Sequence, residues 1–256
     1  MKKSYICIIT AIVFSLACSL HAQPGRGTPV VKPSILRTIP HDTAAFTQGL
    51  ICVDTLLYES TGLVGHSTLR RVNASNGAVM TKIPVPDAFA EGIAIHNGEL
   101  VQLTWQDQFA IRYDLPSLRP KGMYKYKGEG WGLTNDSTNF IMSNGSDTLY
   151  FRNDKFEITR VLPVTLDGKP LKHINELEYV HGQVYANVWY RDYIVEISPI
   201  DGKVTRIIDC SELKNIERPL SREYVFNGIA YCKKKDEWYL TGKKWRNIFI
   251  VRIPSL

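Results

Sequence analysis

The sequence predicts an all-β fold, a five-bladed β-propeller, and three observations carry that prediction. One motif recurs five times along the 256 residues, its lead residues spaced by 43, 40, 44 and 52. Each copy divides into short apolar strands separated by polar turns, the pattern of four antiparallel strands per blade. No amphipathic helical stretch of useful length interrupts them.

The elements follow in chain order. Lys2-Lys3, an apolar core from Tyr5 to Leu16 and small residues ending at Ala22 read as a signal peptide over residues 1–22. That core is short for a membrane span, so no stable membrane insertion is expected, and the protein reads as exported, periplasmic or secreted. Lipid attachment at Cys18 fits less well, because Ser15 stands where an aliphatic residue is preferred. Residues 23–33, rich in Pro and Gly, read as a flexible leader ahead of a propeller domain spanning 34–256. The segment SILRTIP from Ser34 to Pro40 is a spare strand. Repeat five runs out of chain after three strands, so this N-terminal strand is expected to close the ring.

The five repeats open FTQGLICVDTLLYESTG, FAEGIAIHNGELVQLTW, EGWGLTNDSTNFIMSNG, HINELEYVHGQVYANVW and VFNGIAYCKKKDEWYLTGK. Third strands with clean alternation follow, such as FAIRYDL and YIVEISP, then fourth strands such as FEITRVLPV. The longest spacing reflects an insertion around Pro219.

A hairpin returns its chain to the end where it entered. Glu91 and Trp105 are 14 residues apart, as are Asn175 and Trp189, with turns midway. Blades share one orientation, so the lead residues Gln48, Glu91, Trp131, Asn175 and Asn227 should meet at one mouth of the axis. The return positions Thr61, Trp105, Asn144, Trp189 and Lys243 should join them. A packing slot would repeat one apolar type. Here the lead slot passes from amide to acid to indole, which is the divergence expected of a site. Phe46 and Phe89 do repeat, and core packing is the expectation for them, as it is for Trp238 and Trp245.

Other chemistry is disfavoured. The formal charge of +6 falls to +4 without Lys2 and Lys3 and forms no basic block, so nucleic acid is not an expected partner. The six histidines lack paired metal-ligand spacing, and no metal site is expected. Without residues 1–22 the cysteines are Cys52, Cys210 and Cys232, an odd, sparse set that reads as small buried apolar residues.

With these residues in place, the chain resembles the glutamine cyclotransferase family, the plant and bacterial glutaminyl-peptide cyclotransferases. The motifs that carry the resemblance run from about His41 to Ile253: HDTAAFTQGL, FAEGIA, LTWQ, EGWGLT, SNGSDTLY, INELEYV with ANVW, and NGIAY with TGKKW. The resemblance implies a five-bladed propeller that converts N-terminal glutamine of peptides and proteins to pyroglutamate with release of ammonia; the reaction needs no cofactor, and a monomer is expected. It implies an active site at Gln48, Glu91, Trp105, Trp131, Asn175, Trp189 and Lys243. Arg246 stands where relatives often carry Pro, which leaves Lys243 or Lys244 open as the pocket lysine.

The residue chemistry suits that reaction. The substrate's own α-amine attacks its own side-chain amide, so the enzyme's work is folding back, proton transfer and charge stabilisation. Glu91 is the expected proton shuttle, with Lys243, Asn175 and Gln48 as donors to the amide oxygen. Trp105, Trp131 and Trp189, with Asn144 and Asn227, are the expected substrate-binding residues. Two other readings remain open at this stage: a metal-dependent propeller hydrolase of lactonase type, and a peptide- or glycan-binding propeller without activity.

Overall fold

Strands stack outward from the axis in five sheets of the computed structural model, which describes residues 27–254, four of the sheets being built from four consecutive strands. The expected signal peptide, Cys18 and Gln23 lie outside the described residues. Blade one comprises Thr47–Val53, Leu56–Thr61, Thr68–Asn73 and Val79–Pro84. Blade two comprises Ala90–His96, Glu99–Thr104, Phe109–Asp114 and Pro120–Lys125. Blade three runs from Leu133–Asn135 to Ile158–Pro163, and blade four from Ile174–Val180 to Val204–Asp209. Blade five holds Phe226–Cys232, Glu237–Gly242 and Asn247–Arg252, and its outer strand is Ser34–Pro40, paired antiparallel to Asn247–Arg252. The five-bladed propeller and its closure by the N-terminal strand are therefore as the repeats predict. Inner strands are mostly buried, whereas the outermost strands Val79–Pro84 and Pro120–Lys125 are mostly exposed.

The inner strands place the site through one repeated irregularity. In blades one, two, four and five the pairing register with the next strand shifts at the lead residue: between Thr47 and Gly49, Ala90 and Ile93, Ile174 and Leu177, and Phe226 and Ile229. A bulge frees its extra residues from the ladder and re-aims their side chains. Gln48, Glu91, Asn175 and Asn227 all occupy these bulges. The glycine after the lead residue allows neighbouring blades to touch backbone to backbone: a Cβ on Gly132 would stand 2.0 Å from the Asn175 carbonyl oxygen. Blade four has Glu176 in that slot. Its buried carboxyl instead accepts hydrogen bonds from the backbone of Leu50 and Ile229, stitching blades one and five to blade four.

Four features depart from the sequence expectations. Part of the leader is ordered: Val30–Val31 pairs parallel with Ile207 and Ile208 on the edge of blade four, and Thr28 bonds Asp167. Blade four's outer edge offers unpaired backbone groups, and these residues fill them. The insertion before blade five contains a seven-residue helix, Ser211–Glu217, too short for its period to be legible. Its buried Glu217 accepts from the backbone N–H of Arg246 at 2.7 Å and the side chain of Asn247 at 2.8 Å, fastening the insertion to blade five. A small hairpin, Thr165–Leu166 with Lys169–Pro170, joins blades three and four. Finally, Cys52 and Cys232 form a disulfide with a Cα–Cα distance of 5.2 Å, correcting their reading as simple apolar residues. Ring closure brings the inner strands of blades one and five together, so residues 180 apart become neighbours. Cys210 remains a free, buried thiol.

Candidate active site

At one mouth of the axis lies a cavity of about 190 Å³, lined by Phe46, Gln48, Phe89, Glu91, Trp105, Trp131, Asn175, Trp189, Glu223 and Lys243. The seven residues implied by the resemblance all meet there. Drug-sized ligands occupy pockets of roughly 300–1,000 Å³, so this one suits a single side chain.

Its walls are aromatic. Trp131 meets Trp189 edge-on at 5.5 Å, Phe89 meets Trp105 at 5.6 Å, and Phe46 meets Phe89 at 6.1 Å. Phe46 and Phe89, expected as core, therefore line the pocket. Their repetition marks a shared position on the rim, where one face packs and the other faces the cavity. The glycines at positions 62 and 145 are platforms: a Cβ on Gly62 would strike the Phe89 ring at 2.3 Å, and one on Gly145 the Trp131 ring at 2.6 Å.

The polar floor is a chain of amides ending on a carboxylate. Asn227 donates to the Thr47 carbonyl at 3.0 Å and to Gln48 Oε1 at 3.4 Å, and Gln48 Nε2 donates to Glu91 Oε1 at 3.1 Å. Asn227 thus stands behind Gln48 rather than in the pocket, and one of the two Gln48 N–H donors is committed to Glu91. Asn175 is buried, and its Oδ1 has no hydrogen-bond partner among the described residues. Asn144 leaves the site altogether: its Oδ1 accepts from the Ser146 backbone at 3.2 Å and hydroxyl at 2.6 Å, closing a turn. Thr61 pairs with Thr68 and is also structural. A return position adjoining a turn cannot reach the axis unless its side chain is as long as an indole or a lysine.

Between the two lysines, Lys243 enters the pocket. It is buried, with Nζ 4.8 Å from the centre of the Phe46 ring. Lys244 turns away with φ of 56° and points toward Tyr224. Trp245 and Trp238 are core residues, as expected.

Two acidic residues escaped the sequence reading. Glu129 Oε2 accepts the indole N–H of both Trp105 and Trp131, each at 2.9 Å, and its Oε1 accepts from Gln106 at 3.1 Å. One carboxylate thereby fixes two pocket walls carried by different blades. The visible signal was an acid two residues before a lead Trp. Glu223 comes from the insertion, which has no counterpart in the other repeats.

The charges oppose one another across the pocket. Burial pushes the Glu91 carboxyl well above its ordinary range, with the Lys243 charge acting against the shift and the Glu129 charge adding to it. Burial pushes Lys243 down, offset by the charges of Glu91 and Glu223. Glu129 stays below the usual range: burial opposes this, but its bonds to Trp131, Gln106 and Trp105 prevail. A buried carboxyl raised above its ordinary range, in a pocket that also holds an unpartnered amide oxygen, is equipped to exchange a proton with a substrate nitrogen. Among the described residues, no group of three or more His, Cys, Asp or Glu side chains is arranged to hold a metal ion.

Comparison with known proteins agrees with this geometry. A family model described as glutamine cyclotransferase matches residues 8–253. The glutaminyl-peptide cyclotransferase of Arabidopsis thaliana is 34% identical over 230 residues, covering 86% of this chain and 71% of that protein. The crystal structure of Myxococcus xanthus glutaminyl cyclase superimposes with a TM-score of 0.84 at 33% identity, covering 90% of this chain and 99% of the other.

Proposed function

Because this chain belongs to the glutamine cyclotransferase family, we infer that Glu91 is the proton-transfer group with which it cyclises N-terminal glutamine. The observation that carries the role is a fully buried carboxyl at a pocket floor, raised by desolvation and touched by a single amide donor.

In the proposed sequence the glutamine side chain folds back between Trp105, Trp131 and Trp189, which exclude competing water. The substrate α-amine lies against Glu91 and the unpartnered Asn175 Oδ1. With the α-amine neutral and Glu91 ionised, Glu91 takes one proton from the amine as its nitrogen attacks the side-chain amide carbon. The amide oxygen gains negative charge and is stabilised by Lys243. Glu91 then returns its proton to the amide nitrogen, the carbon–nitrogen bond breaks, and ammonia leaves with pyroglutamate formed. Gln48, held by Asn227, orients Glu91, and Glu129 holds the indoles, so both are positioning residues. Every proton is accounted for within the pocket, and the scheme calls for no cofactor.

Incubation with a Gln-initiated peptide tests the activity: one equivalent of ammonia and the matching mass loss are expected. A peptide returned unchanged would refute it. Family membership disfavours the hydrolase and the inactive binding-propeller readings.

Export completes the reading. Residues 1–22 have signal-peptide organisation, and the Cys52–Cys232 disulfide suits an oxidising compartment. A mature N-terminus at or near Gln23 is expected by mass spectrometry of protein from its native host. A diacylated Cys18 would overturn that.

A further inference from the structure

A pocket that holds only glutamine has to let the rest of the peptide out, and its lining has one exposed member. Glu223 is that residue, while the other lining residues are buried or half-buried. Both its oxygens lie 2.8 Å from the Tyr190 hydroxyl, which donates to them. Nearby Asp192 is neutralised by Lys214 at 2.8 Å, whereas Glu223 makes no close ion pair among the described residues and acts on Lys243 only at longer range. Tyr190 stands beside Trp189, ring centres 4.6 Å apart, and holds φ of 61°. A bulky residue in the left-handed region is an outlier that its surroundings must impose. The Tyr190 ring packs on Trp189 and lies under Arg222 at 5.6 Å, and its hydroxyl is held by Glu223. Beyond the rim opens a second cavity of about 510 Å³, bordered by Tyr190, Asp192, Lys214 and residues 219–222 of the insertion.

The two cavities therefore meet where Glu223 and Tyr190 stand, with Arg222 bordering the second cavity, and the helix anchored through Glu217 fixes the loop that carries Glu223. We propose that Glu223 and Tyr190 form the subsite for the residue following the N-terminal glutamine, and that this subsite favours Lys or Arg there. The proposal rests on the cyclase reading above. A cationic side chain leaving the pocket would meet a carboxylate already held in place by the Tyr190 hydroxyl, with the ring alongside its aliphatic stem. An acidic residue there would be repelled.

The test compares kcat/KM for Gln-Lys, Gln-Ala and Gln-Glu peptides in the wild type, Glu223→Gln and Glu223→Lys. Attraction and repulsion at an exposed site are each worth a few-fold, so the Lys-to-Glu preference should be roughly fivefold to tenfold at low salt and shrink at high salt. It should fall close to unity in Glu223→Gln and invert in Glu223→Lys. Ratios within one variant cancel any general loss of folding or chemistry. Wild-type turnover of all three peptides at equal rates, or a preference unchanged in both variants, would overturn the subsite. Failure of the wild type to cyclise even the Gln-Ala peptide would instead refute the cyclase reading on which the subsite rests.

Discussion

Glu59 and Glu91 are both fully buried carboxylates near the mouth of the propeller, on adjacent blades, and their acidities move in opposite directions. Burial raises both. Around Glu59, His41 at 2.7 Å, Thr47 at 2.8 Å and Arg70 at 3.7 Å more than reverse it. His41 is held in turn by the Trp245 carbonyl, so this cluster ties blade five to blade one. Around Glu91 there is one neutral donor, Gln48, while Lys243 acts at longer range. The first site is saturated with partners and the second is short of them. Missing partners, rather than burial, distinguish a carboxylate kept for chemistry from one kept for structure.

Removing each charge should separate the two. Glu91→Gln keeps size and a hydrogen-bonding head but cannot shuttle a proton, so kcat should fall on the order of 10²–10⁴-fold. The fold should not suffer. A carboxyl raised in the folded state contributes stability below its unfolded pKa and loses it as pH rises through the folded value. Glu91 therefore costs stability at neutral pH, and the variant should melt at the same or a higher temperature. Near-normal turnover would sink Glu91 as the shuttle and erase the contrast with Glu59.

Glu59→Gln should behave in reverse. It leaves His41 in the interior without its carboxylate, while Arg70 keeps Asp42 at 3.0 Å, so a cost of about 3 kcal/mol by denaturant unfolding is expected and molecules that remain folded keep turnover. Wild-type stability from this cluster should also have two limits. The lowered Glu59 loses its contribution as pH falls below the ordinary carboxylate range. The raised His41, favoured by Glu59 against the effect of burial, loses its contribution as pH rises above about 6.5.

Glu129→Gln sharpens the comparison from a distance. Losing the charged acceptor of two indoles should lower kcat/KM about tenfold. Because the Glu129 charge helps to raise Glu91, the acid limb of the rate profile should also move to lower pH, a shift that loosened walls alone would not produce. Trp105→Phe removes one of those indole donors while keeping an aromatic wall. A few-fold rise in KM with kcat little changed is expected.

Much of this was legible along the chain. The strand alternation, the lead-residue spacing and the incomplete fifth repeat are local patterns, and they fixed blade count, closure and the shared mouth. Glu91, the three indoles and Lys243 stood out because each breaks the chemistry of its repeat slot. Asn144 and Asn227 satisfied the same rule and still missed the pocket, because reaching the axis also depends on side-chain length and on what stands in front.

The sequence by itself determined the repeat architecture and the residue types brought to one mouth, since both follow from periodicities within a single blade. Only the tertiary structure decided that Cys52 meets Cys232, that Glu129 joins Trp105 to Trp131, that an insertion places Glu223 on the rim, and that burial outweighs Lys243 in setting the acidity of Glu91. Most of these are relations between blades or loops far apart in the chain. The periodicity of one blade carries no information about which atoms of its neighbour it will touch, or how much water will remain between them.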